Sequence, residues 1–172
     1  RASFGTMRPE VRILSPRPSY MNISKEYQKS VLALAKKAFQ KKEIPVGAIV
    51  VDKTGRIIGR GYNLSHAKKS VLEHAEIRAV KQAFKKIGDW RLDGCKLIVN
   101  LEPCLMCLGA ITNARVSKLE YFLADPQFGS VESRFTKKQL AKLFPRLAIR
   151  KVADKGETKQ LMQEFFTQLR KK

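Results

Sequence analysis

Two short stretches of this sequence hold three side chains able to grip a metal and one able to move protons. They are His74-Ala75-Glu76 and Pro103-Cys104-Leu105-Met106-Cys107. A catalytic zinc takes three protein ligands and leaves its fourth position open to water, and one imidazole with two thiolates makes such a set. The C-x-x-C spacing places both sulfurs at one helix start, where backbone N–H groups and the helix dipole favour thiolates. His74 must then come from a neighbouring helix as the third ligand. Glu76, two residues further on, can reach a water at the metal without ligating it. A carboxylate there can take a proton from water as it attacks an amino-bearing carbon, then deliver it to the leaving nitrogen. A lone C-x-x-C is weak evidence, and a lone His is more often a packed or solvated residue. Their joint occurrence, each at a helix start, assigns zinc chemistry.

The scaffold for these groups follows from hydrophobic periodicity. Val31, Leu32, Leu34, Ala35, Ala38 and Phe39 recur at helical spacing behind Ser24 as N-cap, and Pro45 stops that helix. Gly47 to Asp52, a Lys53-Thr54-Gly55 turn and Arg56 to Arg60 read as a hairpin. After a loop from Asn63 to Ser70, a helix runs through His74, Glu76, Ile77, Val80 and Phe84 and closes near Gly88. Cys95 to Asn100 is an apolar strand, Pro103 opens a helix continuing through Leu105 to Asn113, and Leu119 to Leu123 is again a strand. Phe144, Leu147, Ile149 and Val152 suggest a last short strand. Glu157 to Leu169 is a helix with Leu161, Met162, Phe165 and Phe166 facing inward. The alternation predicts an α/β fold, a three-layer α/β/α sandwich. Cys95 is expected as a small core side chain, Trp90 as a packing anchor and His66 as solvent-facing.

Composition narrows the partner. The chain has 172 residues with 35 Lys and Arg against 15 Asp and Glu, a formal charge of +20. Such a charge repels itself unless a polyanion shares the surface, which points to nucleic acid. A membrane surface would want the basic residues on one face of an amphipathic segment, whereas here they are spread along the chain. No apolar run is long enough to span a bilayer. Three cysteines, two of them close together, do not form a secreted disulfide framework and fit a reducing cytoplasm.

Residues 1–20 contain three prolines and no apolar periodicity, so they are set apart as an extension, disordered or non-native, from a domain over 21–172. The extension carries four basic residues and one acidic one, leaving +17 on the domain. Glu10 to Pro18 is expected to be the in-frame translation of the end of a tRNA gene, since T-arm codons would encode its first five residues, and Met21 is the expected start.

H-A-E followed by P-C-x-x-C corresponds to the H-x-E…P-C-x-x-C signature of zinc deaminases. From about Lys25 to Arg170 the chain resembles the bacterial tRNA adenosine deaminases. Glu43-Ile-Pro-Val-Gly-Ala48, Gly61-Tyr-Asn63, Glu73 to Ile77, Asp89-Trp-Arg-Leu-Asp-Gly94, Leu101 to Cys107, Gly109-Ala110 and Phe165-Phe166 carry the resemblance. It implies a cytidine deaminase-like fold with a mixed five-stranded sheet. It also implies inosine formation at the wobble position of a tRNA anticodon, with arginine tRNA as substrate. By it His74, Cys104 and Cys107 hold zinc and Glu76 shuttles protons. The Ala75 backbone and Asn63 side chain hold the base, and Ile44 and Pro45 line its pocket. It further implies a homodimer clasping the anticodon stem-loop, Asp125 against nucleotides flanking the target, and Arg170, Lys171 and Lys172 near phosphate. The chain departs from the pattern at Ser70 to Glu73, at Asn100 where relatives carry Thr, and in a shortened Asp125 to Arg134 loop. The alternative reading keeps the chemistry but acts on a free base or nucleoside, cytosine or guanine. A third, a binding module with structural zinc, would want a fourth protein ligand and has no use for Glu76.

Overall fold

A computed structural model describes residues 25–171. The expected Ser24 cap, the extension and Lys172 lie outside them. The elements are α1 (Lys25–Gln40), β1 (Gly47–Val51), β2 (Ile57–Tyr62), α2 (Ser65–Lys68), α3 (Ala75–Ile87) and β3 (Lys96–Leu101). They continue as α4 (Leu105–Asn113), β4 (Lys118–Leu123), α5 (Lys137–Leu143), β5 (Ala148–Lys151) and α6 (Glu157–Arg170).

The strands form one mixed sheet in the order β2-β1-β3-β4-β5. β1 pairs antiparallel with β2 and with β3, whereas β3, β4 and β5 run parallel. A parallel pair needs a crossover, and α4 supplies it between β3 and β4. Because side chains alternate across a strand, Ile49, Val51, Ile98 and Phe122 pack with Val31 under α1, while Ala48, Val50, Leu97 and Val99 pack with Ala75, Ala79, Leu108 and Ile111 under α3 and α4. α6 lies beside α1, with the Phe39 and Phe165 rings edge to face at 5.8 Å. The expected three layers and five strands are all present.

Gly59 and Gly61 on β2 decide where α3 sits. A Cβ at either would collide with the backbone carbonyl of Ala79 or Ala75. The missing side chains let the helix lie directly on the strand, which sets the position of its first turn.

Four expectations change. Trp90 is no packing anchor: it is 56% exposed, with the Arg91 and Arg115 guanidiniums over its ring. Phe166 does not face the core but is 46% exposed, because α6 buries only the Leu161, Met162 and Phe165 side of that turn. Two helices were not foreseen. α2 spans four residues and buries none, and α5 also buries none, so neither has the apolar stripe that marks a helix. α5 starts at a Thr136/Gln139 capping box, a signal present in the sequence.

Candidate active site

His74 is the N-cap of α3, Cys104 is the N-cap of α4, and Cys107 lies in the first turn of α4. Both helices start beside the carboxyl ends of the strands, where a crevice opens in α/β sheets. The two starts converge. His74 Nδ1 lies 3.5 Å from Cys107 Sγ and 3.7 Å from Cys104 Sγ, and the three donor atoms lie within 4.8 Å of one another, close enough to hold one metal ion. Among the described residues this is the one such group of His, Cys, Asp and Glu.

The sulfurs titrate as a pair. A hydrogen bond from the Cys107 thiol pulls Cys104 down to about 4, with His74 adding to the effect. The same bond, reinforced by burial, pushes Cys107 well above the ordinary thiol range. A cation would satisfy both sulfurs. The Cys104 contact also raises His74. Glu76, 4% exposed in the first turn of α3, has its carboxyl pushed up to about 6 by burial.

These groups border a cavity of about 400 Å³, inside the usual range for small-molecule sites. His74, Glu76, Cys104, Asn63, Ile44 and Asp125 all line it, together with Val46, Met162 and Phe166. No Lys or Arg is among its lining residues.

Ala75 and Pro45 stand one step behind the wall, and hydrogen bonds fix the residues around them. Asn63 Oδ1 accepts the N–H of Ala75 at 2.9 Å, so the amide orientation is settled and its NH₂ remains as donor. Ala75 is fully buried, its N–H committed to Asn63. Pro45 is buried behind Ile44, and its carbonyl accepts from Asn100 Nδ2 at 2.9 Å. Asn100 Oδ1 also accepts the Gly47 N–H at 2.8 Å, so the amide at this departure from the family pattern fastens the segment entering β1. Asp125 Oδ1 accepts the N–H groups of Gln127 and Phe128, tying its own turn. His66 is exposed at the mouth, as expected.

Two buried carboxylates had no assigned role in the sequence. Glu43 accepts the N–H groups of His66 at 3.2 Å and Ala67 at 2.7 Å, holding the rim formed by α2. Glu102 accepts those of Val131 at 2.6 Å, Ser133 at 3.0 Å and Asp125 at 2.9 Å, holding the opposite rim. Gly129 passes so close that a Cβ would strike the Glu102 carboxylate. The available signal was an acid inside an otherwise apolar segment, Glu43-Ile-Pro-Val and Leu101-Glu-Pro.

A mixed sheet presenting H-x-E and P-C-x-x-C at adjacent helix starts defines a deaminase with the cytidine deaminase-like fold, and the family model of MafB19-like deaminases matches residues 21–170. A solved tRNA deaminase, studied for A-to-I editing at the wobble position, superposes with a TM-score of 0.73 at 33% identity, covering 79% of this chain and 98% of that one. The tRNA-specific adenosine deaminase of Streptococcus pyogenes serotype M1 is 36% identical over 146 residues, 85% of each chain. The chain belongs to the tRNA-specific adenosine deaminase family. The guanine deaminase of Nitrosomonas europaea shares the fold, with a TM-score of 0.73 at 22% identity over 95% of this chain and 100% of that one.

Proposed function

We propose that the chain hydrolyses adenosine to inosine at the wobble position of a tRNA anticodon, with arginine tRNA as the expected substrate. One observation carries the reading: His74, Cys104 and Cys107 converge at the wall of a base-sized cavity next to a buried, readily protonated Glu76. Zinc suits this donor set. A sulfur and a nitrogen sharing a tetrahedral zinc sit about 3.6 Å apart, and the sulfurs here lie 3.5 and 3.7 Å from His74 Nδ1. When bound, zinc acts as a Lewis acid and makes water a nucleophile at neutral pH.

The chain's own residues do the rest. Glu76 accepts a proton from the attacking water and delivers it to the nitrogen leaving C6, so a C–O bond forms, the C–N bond breaks and ammonia departs. A carboxyl near 6 can both take and give at neutral pH. The Asn63 NH₂ donates to the purine edge, its other end locked on Ala75. Ile44 and Val46 give an apolar wall backed by Pro45, and Asp125 shapes the entrance on the flanking-nucleotide side.

No Lys or Arg lines the cavity, so phosphates stay outside it, where the excess of Lys and Arg lies. An unstacked anticodon loop lowers the cost of extruding the base by a few kcal/mol relative to a duplex. α4 supports the homodimer. It exposes Leu105 and Asn113, half-exposes Met106, Gly109 and Ala110, and has open space before Gly109, as a helix facing another subunit would. No described helix is long and apolar enough to cross a membrane. Action on tRNA supports a cytoplasmic location.

A cavity lined by no Lys or Arg would also admit a free base. The test incubates the zinc-loaded protein with total tRNA and, separately, with free adenosine, cytosine and guanine. Inosine in tRNA is the expected product. Ammonia released only from the free bases would transfer the assignment to a free-base deaminase.

A further inference from the structure

Much of the charge lies far from the cavity. A second concavity, of about 690 Å³, lies between α1 and the turn entering α6, edged by Lys25, Gln28, Lys29, Lys36, Lys155 and Glu157. Lys25, Lys29 and Lys36 stand at i, i+4 and i+11, which places them on one face of α1.

The groove is built. Gln28 Nε2 donates to the carbonyl of Ala153 at 2.9 Å, clamping α1 to the turn. Buried Asp154 accepts the N–H of Gly156 at 3.0 Å and of Thr158 at 2.8 Å, fixing the start of α6. Between these anchors Lys155 takes a φ of 59°, a left-handed conformation that a residue with a Cβ adopts at a cost. Four ammonium groups therefore edge a groove containing one carboxylate, and none of the four forms an ion pair among the described residues. Lys41 and Lys42, exposed just past the end of α1, stand next to Glu43 and Ile44 at the cavity. Lys25 and Lys36 are eleven positions apart on α1, so the row spans about 17 Å.

Charge selects the occupant. The 24 residues before α1 carry four Arg and one Glu, the same sign as the groove. A polyanion is the complementary ligand. We propose that this groove holds the sugar–phosphate backbone of the RNA substrate, on the stem leading away from the nucleotide in the cavity. The inference rests on the tRNA reading above.

The test uses the zinc-loaded full chain and its Lys29→Gln/Lys36→Gln/Lys155→Gln variant, whose changes are all at exposed positions. Binding of a full tRNA transcript is measured against salt, and inosine formation is followed both in that transcript and in a short hairpin holding little more than the anticodon loop. The variant should bind tRNA about tenfold or more weakly, with the slope of log K against log salt smaller by roughly 2 to 3, since each lost phosphate contact removes about 0.7 to 0.9. Its rate on the hairpin should equal the parental rate. Unchanged tRNA affinity and slope overturn the proposal. So do equal losses on hairpin and tRNA, or lost binding to phosphatidylserine vesicles with tRNA binding intact. If the parental protein forms no inosine in either RNA, the substrate reading fails instead, while the binding measurements still report on the groove.

Discussion

Asn63 Oδ1 and the Ala75 N–H, 2.9 Å apart, join the loop after β2 to the first turn of the helix carrying Glu76. One amide thereby serves the scaffold with its oxygen and the cavity with its nitrogen. Two substitutions separate these duties. Asn63→Ala should lose about 1 to 2 kcal/mol of stability, since a buried N–H is left unpaired, and most of its activity. Asn63→Asp keeps the acceptor but not the donor, so it should regain stability while deamination stays about a hundredfold down. Thermal unfolding and inosine formation distinguish the two, and an active Asp variant would remove Asn63 from base recognition.

Glu76 should act without holding the metal. Glu76→Gln is expected to keep its zinc by elemental analysis and to lose about 10² to 10⁴ in rate. Cys104→Ala should lose both metal and activity. Parental turnover by the Gln variant would contradict the proton role.

Gly61 governs placement of the catalytic helix. In Gly61→Ala the new Cβ meets the Ala75 carbonyl, and backbone there cannot rotate aside. The expected cost is about 3 kcal/mol, with weaker zinc retention because His74 shifts with the helix. A variant with unaltered melting temperature and metal content would show that α3 tolerates displacement.

Glu102→Gln replaces a carboxylate that accepts three backbone N–H groups by an amide with its own donors. The loss should be about 2 kcal/mol, with faster hydrogen exchange at Asp125, Val131 and Ser133. KM should rise more than kcat falls. Unchanged exchange at those amides would end this account of the rim.

Acid stability should report Glu120. Its carboxyl is fully buried on β4, with Lys118 Nζ at 3.0 Å, Lys96 Nζ at 3.6 Å and Arg150 Nη2 at 2.5 Å. Burial alone would raise it, but the Lys118 hydrogen bond and the charges of Lys96, Lys118 and Arg150 outweigh burial and hold it below its ordinary 4.5. A depressed carboxyl stabilises the fold above its unfolded value, and the benefit disappears as pH falls through the folded value. Glu120→Gln should therefore be less stable than the parent at neutral pH, since three cations lose their buried carboxylate partner. That gap should shrink as pH falls below the ordinary carboxylate range. A gap independent of pH would mean the ion cluster contributes nothing.

The metal group was legible because chemistry restricts its residue types, and its two motifs sit at helix starts that apolar periodicity also marks. Strands and long helices were legible for the same reason: a buried stripe writes itself into the sequence. Glu43 and Glu102 were not, since their partners are backbone amides some 23 to 31 positions away that no side-chain pattern announces. Trp90 misled because an aromatic before a strand looks like core, whereas the loop geometry leaves it outside under two guanidiniums.

Both edges of the cavity hang from main-chain amides gripped by carboxylates, one in the connection leading into β1 and one just past β3. The contour of each edge is thus independent of which side chains it displays. Pro126, Gln127 and Phe128 can be exchanged to favour a different base or neighbouring nucleotide while the same outline persists, so selectivity in this molecule can drift without disturbing the machinery beneath it.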